Sequence, residues 1–186
     1  MTPRVHLTTD RLHLREWSPG DAEAFAAINA DPRVMEFFPA ALDRAQSDAL
    51  VERFRAEIAT HGYGRYAVAD RATGRLLGFA GLGHPDFSAP FLPAVEIGWR
   101  LARDAWGQGI ATEAARAIRD HAFDALGMDA LVSFTAEWNI RSRRVMEKIG
   151  MTYDASADFI HPRVPAGHKL ARHVLYRLAK ADRVIR

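Results

Sequence analysis

The chain has 186 residues, of which 48% are hydrophobic and 26% are charged, and its formal net charge is +2. These values fit one globular domain over residues 1–186 with a sizeable core, and they give no argument for a nucleic-acid partner. The sequence contains no cysteine, which excludes disulfides, thiolate metal ligands and a covalent cysteine intermediate.

Neither the hydropathy nor the N-terminus points to a membrane or to export. No apolar run approaches the about 20 residues that a membrane span needs. The opening Met-Thr-Pro-Arg-Val-His lacks the apolar block of a secretory signal. We therefore expect a cytoplasmic protein with no membrane partner.

The first half of the chain predicts a strand, two helices and a hairpin, in that order. Ser18 is expected to cap the first helix, with Pro19 at its first position, and Gly62 is expected to follow the end of the second. The predicted elements are the strand Arg11–Trp17, the helices Ser18–Ile28 and Ala45–Ala59, and the hairpin strands Tyr66–Asp70 and Leu76–Leu82.

The second half continues with strands and helices that do not strictly alternate. This mixture predicts an α+β fold, with a mostly antiparallel sheet flanked by helices. The predicted elements are the strand Glu96–Leu101, a helix that extends to Leu126, the strand Leu131–Thr135, the helix Asn139–Ile149 and the strand Arg172–Leu178.

A glycine-bearing turn, Trp106-Gly-Gln-Gly-Ile-Ala111, leads directly from a strand into a helix. Gly107 and Gly109 have no Cβ, so backbone N–H groups there can approach a phosphate at a helix N-terminus. The turn lacks the Gly-Lys-Ser/Thr of nucleotide hydrolases and the third glycine of the dinucleotide fingerprint. Taken alone, it fits either a phosphate site or a tight packing turn.

A second segment, Asn139-Ile-Arg-Ser-Arg-Arg-Val-Met-Glu-Lys-Ile-Gly-Met151, also follows a strand. Asn139 suits a helix N-cap. The glycine and apolar residue eleven and twelve positions later resemble the second cofactor motif of the GNAT superfamily of N-acetyltransferases. Trp106–Ala111 then resembles that superfamily's first motif, Arg/Gln-x-x-Gly-x-Gly/Ala, with Trp106 where Arg or Gln is usual.

The resemblance extends over most of the chain and is greatest to the RimJ/RimL-type branch of protein N-terminal acetyltransferases. It implies a single GNAT-like domain in which two central parallel strands splay apart and acetyl-CoA lies between them. The segments that carry it are Arg11–Trp17, Glu96–Trp99, Trp106–Ala114 and His173–Arg177.

The same resemblance implies where the co-substrate contacts the chain. The pyrophosphate would lie on backbone amides of the turn, and the pantetheine would bind the backbone of the strand before it. Arginines near both motifs are candidates for outer phosphate contacts, although those at Arg141–Arg144 would equally suit a solvated helix face. The implied residues are Trp99, Leu101, Arg103, Gly107, Gln108, Gly109, Ala111, Thr112, Asn139 and Arg144.

Acetyl transfer to an amine needs a base for the ammonium proton and a donor for the departing thiolate. Glu96 is the candidate base, because strand alternation puts it on the same face as the small Gly98; the alternative is an ordinary surface carboxylate. In many relatives a tyrosine serves as general acid at the position where this chain has Met146. Ser142 is then the candidate donor to the sulfur, with Tyr153 and Tyr176 as further donors.

The acceptor is expected to be a primary amine, and the resemblance points to a peptide N-terminal α-amine. A small-molecule amine or amino acid remains open, as does a catalytically silent acyl-CoA-binding module, and a homodimer would be compatible with the sequence. No metal is expected, because the histidines lack metal-ligand spacing. The residues expected to line the acceptor side are Phe37, Phe38, Phe87 and His168.

Overall fold

A computed structural model describes residues 3–183 and contains nine strands and four α-helices within that range. The strands are β1 (Val5–Thr8), β2 (Leu12–Arg15), β3 (Arg65–Asp70), β4 (Leu76–Gly83), β5 (Glu96–Leu101), β6 (Ala130–Ala136), β7 (Thr152–Tyr153), β8 (Phe159–Ile160) and β9 (Arg172–Ala179). The helices are α1 (Ala22–Ala30), α2 (Arg44–His61), α3 (Ile110–Asp124) and α4 (Ile140–Lys148).

All nine strands belong to one sheet, in the order β1-β2-β3-β4-β5-β6-β9-β7, with β8 also paired to β9. Strands β5 and β6 run parallel, whereas the other pairs in the described range are antiparallel. This arrangement confirms the predicted α+β class and the mostly antiparallel sheet.

The parallel pair separates almost as soon as it forms. β5 and β6 share the single register position Glu96 opposite Val132, although they continue to Leu101 and Ala136 respectively. On its other side β5 is paired with β4 along its whole length, from Glu96 to Leu101. The predicted splay between two central parallel strands is therefore present.

The helices cover both faces of the sheet. Ile97 and Leu101 of β5 are buried in the core on the face that α3 packs against. Arg100 instead hydrogen-bonds a side chain of α1, and Glu96 is ion-paired to Arg65, which also pairs with a carboxylate of α2. We call the side of the sheet that carries α1 and α2 the α1/α2 face.

The first predicted helix starts at the expected residues but with a different type of turn. Ser18 is the N-cap and Pro19 the first position, as predicted, of a 3-10 turn, Pro19–Asp21, which leads directly into α1 at Ala22. The Asp21 side chain accepts hydrogen bonds from the Ser18 amide and hydroxyl, which holds the chain in that tighter turn. The strand predicted over Arg11–Trp17 is shorter in the structure, where β2 covers only Leu12–Arg15.

The third helix ends at Asp124, short of Leu126. The amides of Leu126 and Met128 donate back to the carbonyls of His121 and Ala122, and Gly127 between them has φ +67°. A left-handed glycine just beyond the last turn closes a helix in this way. The short strands β1, β7 and β8 lie outside the predicted elements, because two to four residues carry too little periodicity to be recognised.

Within residues 3–183, no helix is long and apolar enough to cross a bilayer.

We predict that Asp21→Asn lowers the free energy of unfolding by about 3 kcal/mol, because it strands the Arg15 guanidinium in the interior. Asp21 is 4% exposed and takes two hydrogen bonds of 2.7 Å from Arg15. For a chain of this size the midpoint of thermal unfolding should fall by roughly 10 °C. Asp48→Asn, which breaks the exposed Arg44–Asp48 pair on α2, is the control and should cost about 0.5 kcal/mol or less. Equal losses of stability in the two variants would contradict the structural role of the Arg15–Asp21 ion pair.

Candidate active site

The turn between β5 and α3 presents a row of free backbone donors. From Gly107 to Thr112, no backbone amide donates to any acceptor of the described residues, and the first helical bond runs from the Glu113 amide to the Gly109 carbonyl. Gly107 and Gly109 have φ +73° and +78°. An L-residue is strained there, and a Cβ at Gly107 would project into open space. Such a row of N–H groups at a helix N-terminus is suited to an anion.

The N-terminal hairpin holds this turn in place. Arg11 donates to the Gln108 carbonyl over 3.0 Å and to the Glu113 carboxylate over 2.7 Å. Glu113 also accepts the Thr9 hydroxyl at 2.6 Å. Sequence reasoning missed this contact, because Arg11 and Glu113 are about a hundred positions apart and lie in two separate motifs.

The edge of β5 that faces β6 carries unpaired backbone groups. The Val95 carbonyl accepts from Val132 of β6, whereas the Ala102 amide donates to Leu77 of β4. Because backbone groups of successive strand residues alternate in direction, those of Trp99 and Leu101 point toward β6, which has already diverged. The Leu101 carbonyl is occupied by the Trp106 indole N–H at 3.0 Å. Of the two residues predicted to contact pantetheine, Trp99 therefore has the more available backbone N–H and C=O groups.

Glu96 lies at the start of the splay in a chain of charges. Arg65 donates to Glu96 Oε2 at 2.9 Å and to both oxygens of Glu57 at 2.9 Å. A Cβ on Gly83, the residue opposite Glu96 in β4, would overlap the Arg65 guanidinium. Glycine at that position thus creates the space in which the arginine lies between its two carboxylates.

The alternative interpretation of Glu96 as an ordinary surface carboxylate was wrong, because its side chain is only 17% exposed. Burial raises the pKa of the Glu96 carboxyl above its usual range, and the ion pair with Arg65 opposes that rise. A Cβ at Gly98 would meet only the Glu96 carboxylate, at 3.5 Å. The two residues share a face, as predicted, and the surface beside the carboxylate is otherwise open.

The second predicted motif begins α4 on the opposite wall of the splay. Asn139 caps the helix by accepting the Ser142 amide at 3.2 Å, and its amide group donates to Thr135 at 2.9 Å. The Ser142 hydroxyl makes no hydrogen bond to the described residues and is half-buried. Met146, at the usual tyrosine position, is 1% exposed and belongs to the core.

The two tyrosines considered as donors are already engaged. The Tyr176 hydroxyl donates to Glu147 at 3.1 Å and accepts from Arg143 at 3.1 Å. The Tyr153 hydroxyl donates to Asp158 at 2.8 Å, and that hydrogen bond raises the pKa of Tyr153. Both phenolic protons are therefore held by carboxylates.

The arginines around the two motifs divide into bound and free side chains. Arg141 pairs with Glu36 at 2.8 Å and lies 4.5 Å from the centre of the Trp106 ring. Arg103 and Arg144 are exposed, and their guanidinium groups make no hydrogen bond within the described range. These two candidates for outer phosphate contacts are thus available to a ligand.

The predicted acceptor-side residues separate into three environments. Phe87 joins a cluster of six rings with centroid distances of 4.7–6.4 Å; we call Phe87, Phe91, Phe134, Phe159, His161 and His173 the aromatic cluster. Phe37 packs against a small separate core, and Phe38 lies over Arg100. His168 is exposed and accepts the Leu170 amide, so His161 is the loop histidine that enters the cluster.

We predict an acid-sensitive contribution from His173. Burial, followed by the nearby His161, lowers the pKa of His173 from 6.5 to about 4. Its neutral form stabilises the fold fully above pH 6.5, and this stabilisation is lost as the pH falls toward 4, by about 3 kcal/mol in all.

Urea unfolding between pH 7.5 and 4 measures this contribution, and His173→Gln should flatten the pH dependence. The exposed His168→Gln variant is the control and should retain the wild-type dependence. The interpretation fails if both variants follow the wild type.

The comparisons with known proteins agree with this geometry. A family model described as "Acetyltransferase (GNAT) domain" matches residues 11–152. The Bacillus subtilis (strain 168) protein YkkB is 32% identical over 154 residues, which cover 82% of this chain and 88% of YkkB.

Solved acetyltransferases share the fold. The acetyltransferase of Agrobacterium tumefaciens str. C58 superposes with a TM-score of 0.76 at 29% identity, covering 97% of this chain and 96% of that one. Mycobacterium smegmatis RimJ, solved in complex with CoA-disulfide, gives a TM-score of 0.72 at 20% identity, covering 91% and 82%. RimJ thus shares the fold, in line with the branch that the sequence motifs resemble. The chain belongs to the GNAT acetyltransferase family and is an acetyl-CoA-dependent acyltransferase.

Proposed function

We propose that the protein moves the acetyl group of acetyl-CoA directly to a primary amine, with the co-substrate between β5 and β6. The observation that carries this proposal is the row of free backbone amides from Gly107 to Thr112. This row follows β5, whose edge toward β6 is unpaired beyond Glu96. Amides at a helix start suit a pyrophosphate, and the edge at Trp99 suits the amide groups of pantetheine. One ligand with both features in sequence fits both surfaces at once.

Glu96 is the proposed general base. Acetyl-CoA supplies the acetyl group, which is transferred when the amine nitrogen bonds to the carbonyl carbon and the carbon–sulfur bond breaks. A primary amine is mostly protonated at neutral pH, so a proton must leave the nitrogen before or during attack. The Glu96 carboxylate, beside the open surface at Gly98, accepts that proton directly or through one water.

Arg65 is proposed to set the strength of this base. Burial alone would favour the protonated, inactive form of Glu96, whereas the guanidinium at 2.9 Å favours the carboxylate. The net result is a raised pKa, so the carboxylate is more basic than an exposed glutamate, while the ion pair with Arg65 favours its ionised form. Since Glu57 also binds Arg65, the guanidinium is held in place beside Glu96.

The departing thiolate needs little assistance. A thiol with a pKa of about 8.5 is a good leaving group, and the Ser142 hydroxyl, which has no partner in the described range, is placed on α4 to donate a hydrogen bond to it. Tyr153 and Tyr176 are not assigned this role, because each donates to a carboxylate.

Met146, in place of the usual tyrosine and buried in the core, is the one observation for a silent acyl-CoA-binding module, an alternative that the family membership opposes. The two proposals differ in a direct test. A transferase releases free CoA thiol from acetyl-CoA in the presence of a suitable amine, and a binding module gives cofactor-dependent stabilisation without thiol release.

We predict that Gly107→Ala weakens acetyl-CoA binding at least tenfold. The new Cβ would project into the open space where the phosphates approach the amides, and one lost charge-assisted hydrogen bond accounts for about tenfold. The measurement is isothermal titration calorimetry, together with the thermal shift caused by millimolar acetyl-CoA.

Gly74→Ala is the matched control, because Gly74 lies in the β3–β4 turn at φ +74°, nearly the same strained conformation. Both variants should lose similar stability without ligand, and only Gly107→Ala should lose the ligand-induced shift. If acetyl-CoA stabilised both variants equally, the turn at Gly107 would not be part of the acetyl-CoA site.

We predict that Glu96→Gln lowers kcat/KM about a hundredfold at pH 7, the usual contribution of a general base. The wild-type value should fall as the pH drops through the raised pKa of Glu96, because the protonated carboxyl cannot accept a proton. In the variant the loss should shrink as the pH approaches the pKa of the amine, where free base is abundant. Glu52→Gln, an exposed change on α2, is the control, and a pH-independent loss in Glu96→Gln would make Glu96 structural.

A further inference from the structure

Arg100 carries a charge that the described part of the chain leaves without a counter-ion. Its Nη1 donates to Asn29 Oδ1 of α1 at 2.6 Å, and no carboxylate of residues 3–183 pairs with it. Its Nε is buried and has no hydrogen-bond partner. Buried charges in proteins are normally paired, because an unpaired one costs considerable free energy.

The free part of the guanidinium has a specific shape. Nε and Nη2 lie on one edge of the planar group, and this edge donates two parallel hydrogen bonds to the two oxygens of a carboxylate. The bond to Asn29 uses Nη1 and leaves that edge unpartnered. The neutral Asn29 amide orients the guanidinium without neutralising it.

The surrounding charges increase the attraction for an anion. Arg53 and Arg65 lie close enough to reduce the pKa of Arg100, which burial chiefly lowers to about 10. The nearby carboxylates, Glu57 and Glu96, are both bound to Arg65. Glu57 also lies 4.0 Å from Arg53, so neither of these carboxylates on the α1/α2 face is left to pair with Arg100.

The position of Arg100 relates it to the reacting group. Gly98 and Arg100 are two residues apart on β5, so they lie on the same face about 7 Å apart, with Glu96 beside Gly98. The ring of Phe38 lies over the guanidinium, 4.2 Å from Cζ, and is itself 36% exposed. One face of the guanidinium is therefore covered by a ring that is itself partly open to solvent.

We propose that the Nε–Nη2 edge of Arg100 binds a carboxylate of the acceptor, so that the substrate is an amine of the amino-acid class. The carboxylate comes either from a free α-amino acid or from an acidic first side chain of a peptide. In both, the amine and the carboxylate are a few bonds apart, which suits the spacing between Gly98 and Arg100. This inference rests on the acetyl transfer proposed above and narrows its acceptor.

The wild-type protein tests the proposal with matched acceptors in a CoA-thiol release assay. One arm compares glycine with glycinamide, and the other compares the peptide amides Asp-Ala-Ala and Asn-Ala-Ala. Each rate is corrected for the fraction of neutral amine, because glycine and glycinamide differ in amine pKa. We expect kcat/KM to favour the carboxylate-bearing member at least tenfold in one arm, the value of one charged hydrogen bond, and that arm identifies the source.

Arg100→Gln should reduce this preference to less than threefold, chiefly through KM, while the thermal shift with acetyl-CoA stays as in the wild type and shows that the variant is folded. Arg53→Gln is the matched control, because it removes a nearby positive charge but leaves the Nε–Nη2 edge intact. It should retain most of the preference.

If the wild type used the carboxylate-bearing and the neutral acceptor equally well in both comparisons, the role assigned to Arg100 would be wrong. The proposed acetyl transfer would still stand. A preference that survives in folded Arg100→Gln would have the same two consequences. If no amine in a broad panel releases thiol although acetyl-CoA binds, the proposed transferase function fails, and the inference fails with it.

Discussion

The backbone of β5 is hydrogen-bonded to β4 along its length, but it meets β6 only where Glu96 lies opposite Val132. A strand in the middle of a sheet normally has both edges paired, since unpaired backbone groups lose hydrogen bonds. Here the far part of the inner edge is left for another partner, and the turn that follows ends in a second set of unpaired amides. Divergence at one point therefore creates two adjoining surfaces that one extended ligand can satisfy.

Alternation of side chains along β5 separates the chemistry of the two sheet faces. On one face, Ile97 and Leu101 pack into the core with α3 and hold β5 at its position. On the other, Glu96 and Arg100 carry charges into a half-buried region beneath α1 and α2. Alternation along one strand thus supplies both the anchor in the core and the surface proposed to react, and Gly98 leaves open space between the two charges.

Charge balance on the α1/α2 face depends on a glycine, Gly83, that carries no charge itself. Gly83 leaves space for the Arg65 guanidinium, which occupies both neighbouring carboxylates. Because those carboxylates are committed, Arg100 is left with a neutral partner, Asn29, and an aromatic cover. The basicity of Glu96 and the anion preference proposed for Arg100 are in this sense two results of one packing arrangement.

Local patterns predicted most of the elements, and the family resemblance implied the cofactor-side residues, but neither identified the partners of individual side chains as well. Asn139 was recognised both as a helix cap and as a ligand contact, and the structure shows the cap. Arg65, Arg11 and Arg100 were missed, because each acts through partners far away in the sequence. A single arginine on a strand has no periodic or spacing signal that distinguishes it from an exposed one.

The sequence by itself determined the order of the longer strands and helices, the glycine turn before α3, and the resemblance of two spaced motifs to an acetyltransferase. These depend on φ preferences, capping and alternation, which act over a few residues. Only the tertiary structure decided that Glu96 is buried and ion-paired, that the Glu113 carboxylate holds Arg11 against the turn, and that Arg100 lacks a carboxylate partner in the described range. Burial and charge pairing are properties of surfaces from distant segments, so they exist only once α2, β3 and β5 have packed together.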